Sequence, residues 1–261
     1  MSKELIEKYK LLYSRLKNLA NDSEIFPDLN DDQFEEFVSA KDWMGIPSFS
    51  ISKKEMTNSD QAHLGMSFRE GIFWISMWFN GKRAVERFAN ILSPIHKNER
   101  EQLKQFLQTL DNKYCIKVNY TEKFFSAGAD WEPILRIDCN NLSEEQIDSL
   151  LNTIDKTKEK RDLRQKEIPK SQIATLSVAL AEVNLQNPSD EILREVLENL
   201  INLLRIVHNL KTSKEINNIT KERDVLNETL KRKIKLYEEG LDEETSEEDY
   251  LRWVKRVNEE K

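Results

Sequence analysis

The side chains best suited to chemistry alternate with apolar residues along two short runs, 62–69 and 72–79. Glu70-Gly71 separates the runs, and glycine at the second position of a two-residue turn suits a type I′ β-hairpin. We therefore predict a hairpin over 62–79, with one apolar face and a second face that carries polar and aromatic side chains. The members of that second face with binding chemistry are His63, Arg69, Trp74 and Trp78.

Two later runs, 113–122 and 134–139, alternate in the same way and are predicted to be strands. If they join the same sheet, they bring further charged and amide side chains to the second face of the hairpin. Those side chains are Lys117, Asn119, Arg136 and Asp138.

Tryptophan beside arginine, lysine and asparagine can stack on and hydrogen-bond a nucleic-acid base or a peptide. The alternative is that helices bury this face, because the helices predicted at 2–20 and 31–40 need a sheet to pack on. The ligand-binding interpretation assigns six residues to the site: His63, Arg69, Trp74, Trp78, Arg136 and Asp138.

The known catalytic and cofactor motifs are missing from the sequence. None of its three histidines lies near a nucleophile elbow, and its six glycines form neither of the common phosphate-binding loops. Cys115 and Cys139 lie in strand-like runs without zinc-ligand spacing, so we expect reduced, structural thiols. The sequence therefore predicts no metal and no cofactor, and it favours a protein that is not an enzyme.

Acidic residues outnumber basic ones, 47 to 40, and no third of the chain is strongly basic. The dense positive charge of a duplex-DNA-binding protein is therefore absent, although a local nucleic-acid contact stays open. No apolar run approaches the roughly 20 residues that span a bilayer. With its charged N-terminus and few cysteines, the chain is expected to be cytoplasmic and not membrane-bound.

The order of the predicted elements up to residue 165 is helix, helix, strand, strand, helix, strand, strand, helix. This order is typical of an α+β domain in which helices cover an antiparallel sheet. Beyond Pro169 every periodic pattern is helical, over 171–186, 190–210 and 213–238. We therefore predict an α+β domain over 1–165 and an all-α helical region over 166–261.

The predicted helix 190–210 is apolar over most of its circumference, and so wide an apolar arc is seldom left in water. It must pack on the neighbouring helices, on the first domain or on a second chain. In the last case its interface residues are Leu193, Leu197, Leu200, Leu204 and Val207.

From this helix we predict a non-enzymatic interaction or adaptor protein that forms a homodimer or binds a protein partner. The alternative is a nucleic-acid-associated protein that binds single strands or an anionic ligand on its Trp/Arg sheet face.

Overall fold

The computed structural model describes most of the chain, and the account that follows concerns those residues alone. They are 3–20, 34–36, 50–53, 60–69, 72–124, 133–238, 252 and 255–256. The chain forms two compact units, Met1–Ser213 and Lys214–Lys261. The predicted boundary near residue 165 falls inside a helix of the first unit, so the structure does not divide the chain there.

Helices and strands alternate irregularly along the first unit. The helices are α1 (Lys3–Ala20), α2 (Lys82–Ala89), α3 (Lys97–Thr109), α4 (Glu144–Glu167), α5 (Asp190–Val207) and α6 (Ser213–Glu238), the last lying almost wholly in the second unit. The strands are β1 (Phe34–Glu36), β2 (Ser50–Lys53), β3 (His63–Arg69), β4 (Ile72–Phe79), β5 (Tyr114–Phe124), β6 (Pro133–Asp138) and β7 (Gln172–Asn184).

All seven described strands join one antiparallel sheet, in the order β1-β2-β3-β4-β7-β5-β6. The predicted α+β class with an antiparallel sheet is therefore confirmed. The last strand in the sequence, β7, lies at the centre of the sheet between β4 and β5. The sheet is thus completed only when this late strand joins the earlier ones.

The hairpin of β3 and β4 has the predicted register. Leu64 pairs with Met77 on the apolar face, and His63 pairs with Trp78 on the second face. Glu70-Gly71 lies outside the described residues. The register was predictable because a shift of one residue would move the whole apolar set to the other face.

The hydrophobic core lies between the apolar face of the sheet and helices α1 to α5. In α1, Leu12 and Leu16 are buried in this core, and the Tyr9 ring packs 5.5 Å from the ring of Phe73. The interpretation in which helix 2–20 covers the second face is therefore wrong. The amphipathic helix packs instead on the face that offers an apolar surface.

Two predicted helices are strands in the structure. Part of the helix predicted at 31–40 is β1, an edge strand that pairs with β2. The helix predicted at 171–186 is β7, which corrects the assignment of an all-α region beginning at 166. A central strand that is buried on both faces reads as a near-continuous apolar run, and such a run resembles a buried helix.

Strand β7 contains a bulge at its centre. The register of its pairing with β4 shifts between Ile75 and Met77. The register of its pairing with β5 shifts between Cys115 and Lys117. At this level Ala181 has a φ of 49°, in the left-handed region that L-residues with a Cβ seldom adopt. The bulge brings Glu182 to the face of the sheet that lies opposite the core.

Helix α4 begins as its sequence predicts. The Ser143 side chain accepts a hydrogen bond from the backbone N–H of Gln146, and the Gln146 side chain accepts one from the backbone N–H of Ser143. This reciprocal capping box satisfies two of the N–H groups that every helix leaves unpaired at its start.

Candidate functional site

The sheet brings most of the predicted site residues to one face, which we call the polar face. Across it, His63 pairs with Trp78, Trp78 with Ala179, Ala179 with Lys117, and Lys117 with Arg136. Its described members are His63, Trp74, Ser76, Trp78, Cys115, Lys117, Asn119, Arg136, Asp138, Ser177 and Glu182.

The predicted site residues share this face but do not converge on one point. His63 and Arg136 are four strand spacings apart in the same row, which is about 19 Å at roughly 4.8 Å per spacing. Arg136 and Asp138 are exposed at the β6 edge, where the Arg136 Nε donates to the Asp138 carboxylate at 3.3 Å. Arg69 pairs with Ile72 through the backbone, and its side chain lies outside the described part. A single compact site therefore has to be sought at the centre of the face.

A buried ion pair occupies that centre. The Lys117 ammonium lies 2.5 Å from the Glu182 carboxylate, and their side chains are only 9% and 0% exposed. The same ammonium lies 4.5 Å from the centre of the Trp74 ring, within the range of a cation–π contact. The Cys115 thiol donates to the Glu182 carboxylate at 3.8 Å. Each charge therefore has the partners that a buried ion requires.

Two buried polar atoms beside this cluster have no hydrogen-bond partner among the described residues. One is the hydroxyl oxygen of Ser76, which is opposite Gly65 and next to the β7 bulge. The other is the amide oxygen of Asn119, whose amide nitrogen donates to Ser177 at 3.2 Å. Buried polar groups are normally paired, so each atom retains the capacity to bond a buried water molecule.

The thiols of this region are poor nucleophiles. Burial, followed by the charge of Glu182, raises the pKa of Cys115 to about 11. Burial also raises the pKa of Cys139 to about 12. A thiol with such a pKa is almost wholly protonated at neutral pH, and the protonated form does not attack electrophiles. Within the described ranges, no three His, Cys, Asp or Glu side chains are grouped so as to hold a metal ion.

Glu182 was missed by sequence reasoning, because its segment was assigned to a helix. One signal was available: Glu182 is the single charged residue of Gln172–Asn184, in a chain of which 33% is charged. So few charges over 13 residues indicate burial on both sides. Alternation within the run then identifies a strand, because Leu176, Val178 and Leu180 are buried in the core.

The interface predicted on α5 lies in the hydrophobic core. The five side chains assigned to it are at most 3% exposed and belong to the cluster shared with α1, α3 and the sheet: Leu193, Leu197, Leu200, Leu204 and Val207. Contacts within the first unit already cover the wide apolar arc. These side chains are therefore not available on the surface of the folded unit, and a contact of α5 with a second chain stays a prediction.

Helix α6 carries the exposed apolar surface that was expected on α5. Val225, Leu226, Leu230 and Ile234 are 49–68% exposed along its second half, and we call these four residues the α6 strip. Leu226, Leu230 and Ile234 follow one another at intervals of four and therefore lie on one ridge of the helix.

No protein-family model matches the chain, and no curated protein matches it either. In the part of the chain that the structure describes, no helix combines the length and the apolar character needed to cross a bilayer. Any assignment of function has to come from the chain's own surfaces.

Proposed function

We propose that this is a cytoplasmic, non-enzymatic protein that works by self-association, with the α6 strip as the contact between two copies. The observation that supports this proposal is the exposure of four large apolar side chains on one helix. Neighbouring apolar side chains in water mark an interaction surface, whereas single ones need no explanation. Burying each of them contributes roughly 25 cal/mol per Å² of apolar surface.

The arrangement of the strip favours a second copy of this chain. Two antiparallel α6 helices related by a two-fold axis at Leu230 would place Leu226 of one copy against Ile234 of the other. The same axis places Glu228 next to Arg232 of the second copy, so opposite charges flank the apolar contact on both sides. Helices whose i, i+4 ridges interdigitate in this way cross at about −50°.

A parallel pair has the opposite electrostatics. It would bring the exposed basic side chains of Lys231, Arg232 and Lys235 close to the same three residues of the second copy. Like charges at such distances repel each other, and repulsion selects against that arrangement. The antiparallel dimer is therefore the arrangement that we propose.

Analytical ultracentrifugation of the full chain over a wide concentration range tests this proposal. We expect a dimer that dissociates on dilution, and we expect Leu230→Asp to be monomeric because it places a carboxylate on the two-fold axis. Leu163→Asp, at an equally exposed leucine on α4, is the matched control and should dimerise normally. A wild-type monomer at every concentration, or equal dissociation of both variants, would contradict the proposal.

The second candidate function is binding of a single-stranded nucleic acid or an anionic ligand on the polar face. It is favoured by the half-buried rings of Trp74 and Trp78, which leave part of each aromatic ring accessible for stacking. Titration with a single-stranded oligonucleotide or a nucleotide should quench tryptophan fluorescence. The quenching should become weaker as the salt concentration rises, and it should be smaller in Trp74→Phe than in the wild type. Unchanged fluorescence at low salt would eliminate this candidate.

A further inference from the structure

A groove of about 650 Å³ lies in the first unit, beside the first residues of β7. The turn between β4 and α2 forms one wall, and the C-terminal half of α4 forms another. The first residues of β7 form an apolar wall that includes Ile173 and Leu176. The groove therefore has a polar and an apolar side, as sites for small organic ligands commonly do.

Positive charge dominates the polar side. Lys82, Arg161 and Lys166 line the groove, against a single acid, Asp162. Neither lysine contacts a carboxylate of any other described residue, and both are exposed to solvent. Three positive charges against one negative charge leave an excess that an anionic ligand would neutralise.

Arg161 distinguishes this groove from an ordinary lysine-rich surface. It is only 4% exposed, although arginine is almost never buried without being paired. Its Nε and Nη2 atoms both donate to one oxygen of Asp162, at 2.9 and 2.7 Å. Its Nη1 atom donates no hydrogen bond to the residues that the structure describes. Part of a fixed, buried guanidinium group is thus left available to a ligand.

The start of α2 adds further donors to the same groove. Gly81 occupies the N-cap position without a side chain that could cap the helix, and the first turn contains no acidic residue. The first turn of α2 therefore supplies no carboxylate of its own to the backbone N–H groups and the positive end of the helix dipole, and the Asp60 carboxylate beside this turn is paired with Arg83 at 3.1 Å. Glycine also lets a ligand approach the backbone closely.

We propose that this basic groove binds a phosphate monoester of a small organic molecule. Guanidinium, ammonium and helical N–H groups together favour a doubly charged oxyanion over a neutral ligand. The volume exceeds what a free phosphate ion fills, and the half-buried side chain of Ile173 offers apolar surface against which the organic part can pack. The site lies in the first unit and does not depend on self-association through α6.

Isothermal titration calorimetry of the full chain at low salt tests the proposal with defined probes. The probes are adenosine monophosphate, glucose 6-phosphate, phenyl phosphate, inorganic phosphate and adenosine. We expect at least one of the three monoesters to bind more tightly than inorganic phosphate, and adenosine not to bind. Lys82→Gln and Lys166→Gln should each weaken that binding about tenfold, as loss of a charge-assisted hydrogen bond does.

Lys97→Gln is the control, at an exposed lysine on α3 outside the groove. It should bind as tightly as the wild type. Failure of all three monoesters to bind would overturn the proposal, as would unchanged affinity in both groove variants. Inorganic phosphate or adenosine binding as tightly as the best monoester would overturn the assignment to an organic phosphate.

Discussion

At the scale of single residues, the buried Lys117–Glu182 pair is the most constrained feature of the sheet. Two buried charges stabilise each other, but removing one leaves the other without compensation. Replacing both with apolar residues of similar size removes the desolvation cost together with the attraction. The pair should therefore behave as a unit.

We predict that Lys117→Met or Glu182→Leu alone lowers the free energy of unfolding by about 3–5 kcal/mol. The double variant should be much closer to the wild type, because no buried charge remains. Urea unfolding of the wild type, the two single variants and the double variant gives the coupling energy between the two side chains. If the double variant loses as much as the two single variants added together, the two charges do not act as a pair.

His96 is a second residue whose protonation matters. Its Nε2 atom accepts a hydrogen bond from the backbone N–H of Lys211 at 3.2 Å, which requires the neutral ring. Burial lowers the pKa of His96 below its ordinary value of 6.5, even though the Glu99 carboxylate opposes this shift. The unfolded chain therefore takes up a proton at a higher pH than the folded protein does.

The stabilisation that comes from neutral His96 should be complete above about pH 6.5 and should be lost as the pH falls below that value. In His96→Gln the amide oxygen can still accept from Lys211 but does not titrate. The difference in unfolding free energy between wild type and variant should therefore shrink from pH 7.5 to pH 5.5. A difference that stays constant over this range would show that His96 does not titrate as inferred.

At the scale of elements, the bulge in β7 decides which side chains reach the polar face. Without its extra residue, Glu182 and Ala179 would point to opposite faces of the sheet, because side chains alternate along a regular strand. The bulge requires Ala181 to adopt a positive φ, which costs about 1–2 kcal/mol for a residue with a Cβ. Alanine is thus close to the largest side chain that this position accepts.

We predict that Ala181→Val lowers the free energy of unfolding by more than about 2 kcal/mol, because a β-branched residue is a strong outlier at positive φ. Ala181→Gly should change stability by less than about 1 kcal/mol. Relief of the backbone strain then offsets the burial lost with the methyl group. Chemical denaturation measures the free energy of unfolding of the two variants. If Ala181→Val were as stable as the wild type, the strand would be able to lose its bulge.

At the scale of the whole molecule, the two most apolar helices of the C-terminal half have opposite roles. Helix α5 is buried in the core of the first unit, whereas the α6 strip is exposed in the second. Large-to-small changes in a core reduce stability, while changes on an exposed surface reduce only association. The two roles can therefore be separated by experiment.

We predict that Leu200→Ala lowers the free energy of unfolding by about 2–5 kcal/mol, as buried leucine truncations do. Because Leu200 is inaccessible in the folded unit, this loss should not depend on protein concentration. Thermal unfolding at two concentrations tenfold apart measures both quantities. If the difference in stability between Leu200→Ala and the wild type disappeared at the higher concentration, α5 would be an intermolecular contact.

The sequence by itself determined those features that depend on neighbours in the chain. The register of the β3–β4 hairpin follows from a short turn and an alternating pattern, and the capping box of α4 follows from four consecutive residues. Most members of the polar face were identified for the same reason, since period-2 alternation assigns a side chain to a face before the sheet is known.

Only the tertiary structure decided where β7 and α5 belong. Both are apolar runs, and an apolar run shows that a segment is buried without showing what buries it. Strand β7 lies between β4 and β5, which precede it in the chain by about 100 and 60 residues, and this position provides Glu182 for Lys117. Contacts over such distances arise from shape and hydrogen bonding between remote segments, and no local pattern of residues records them.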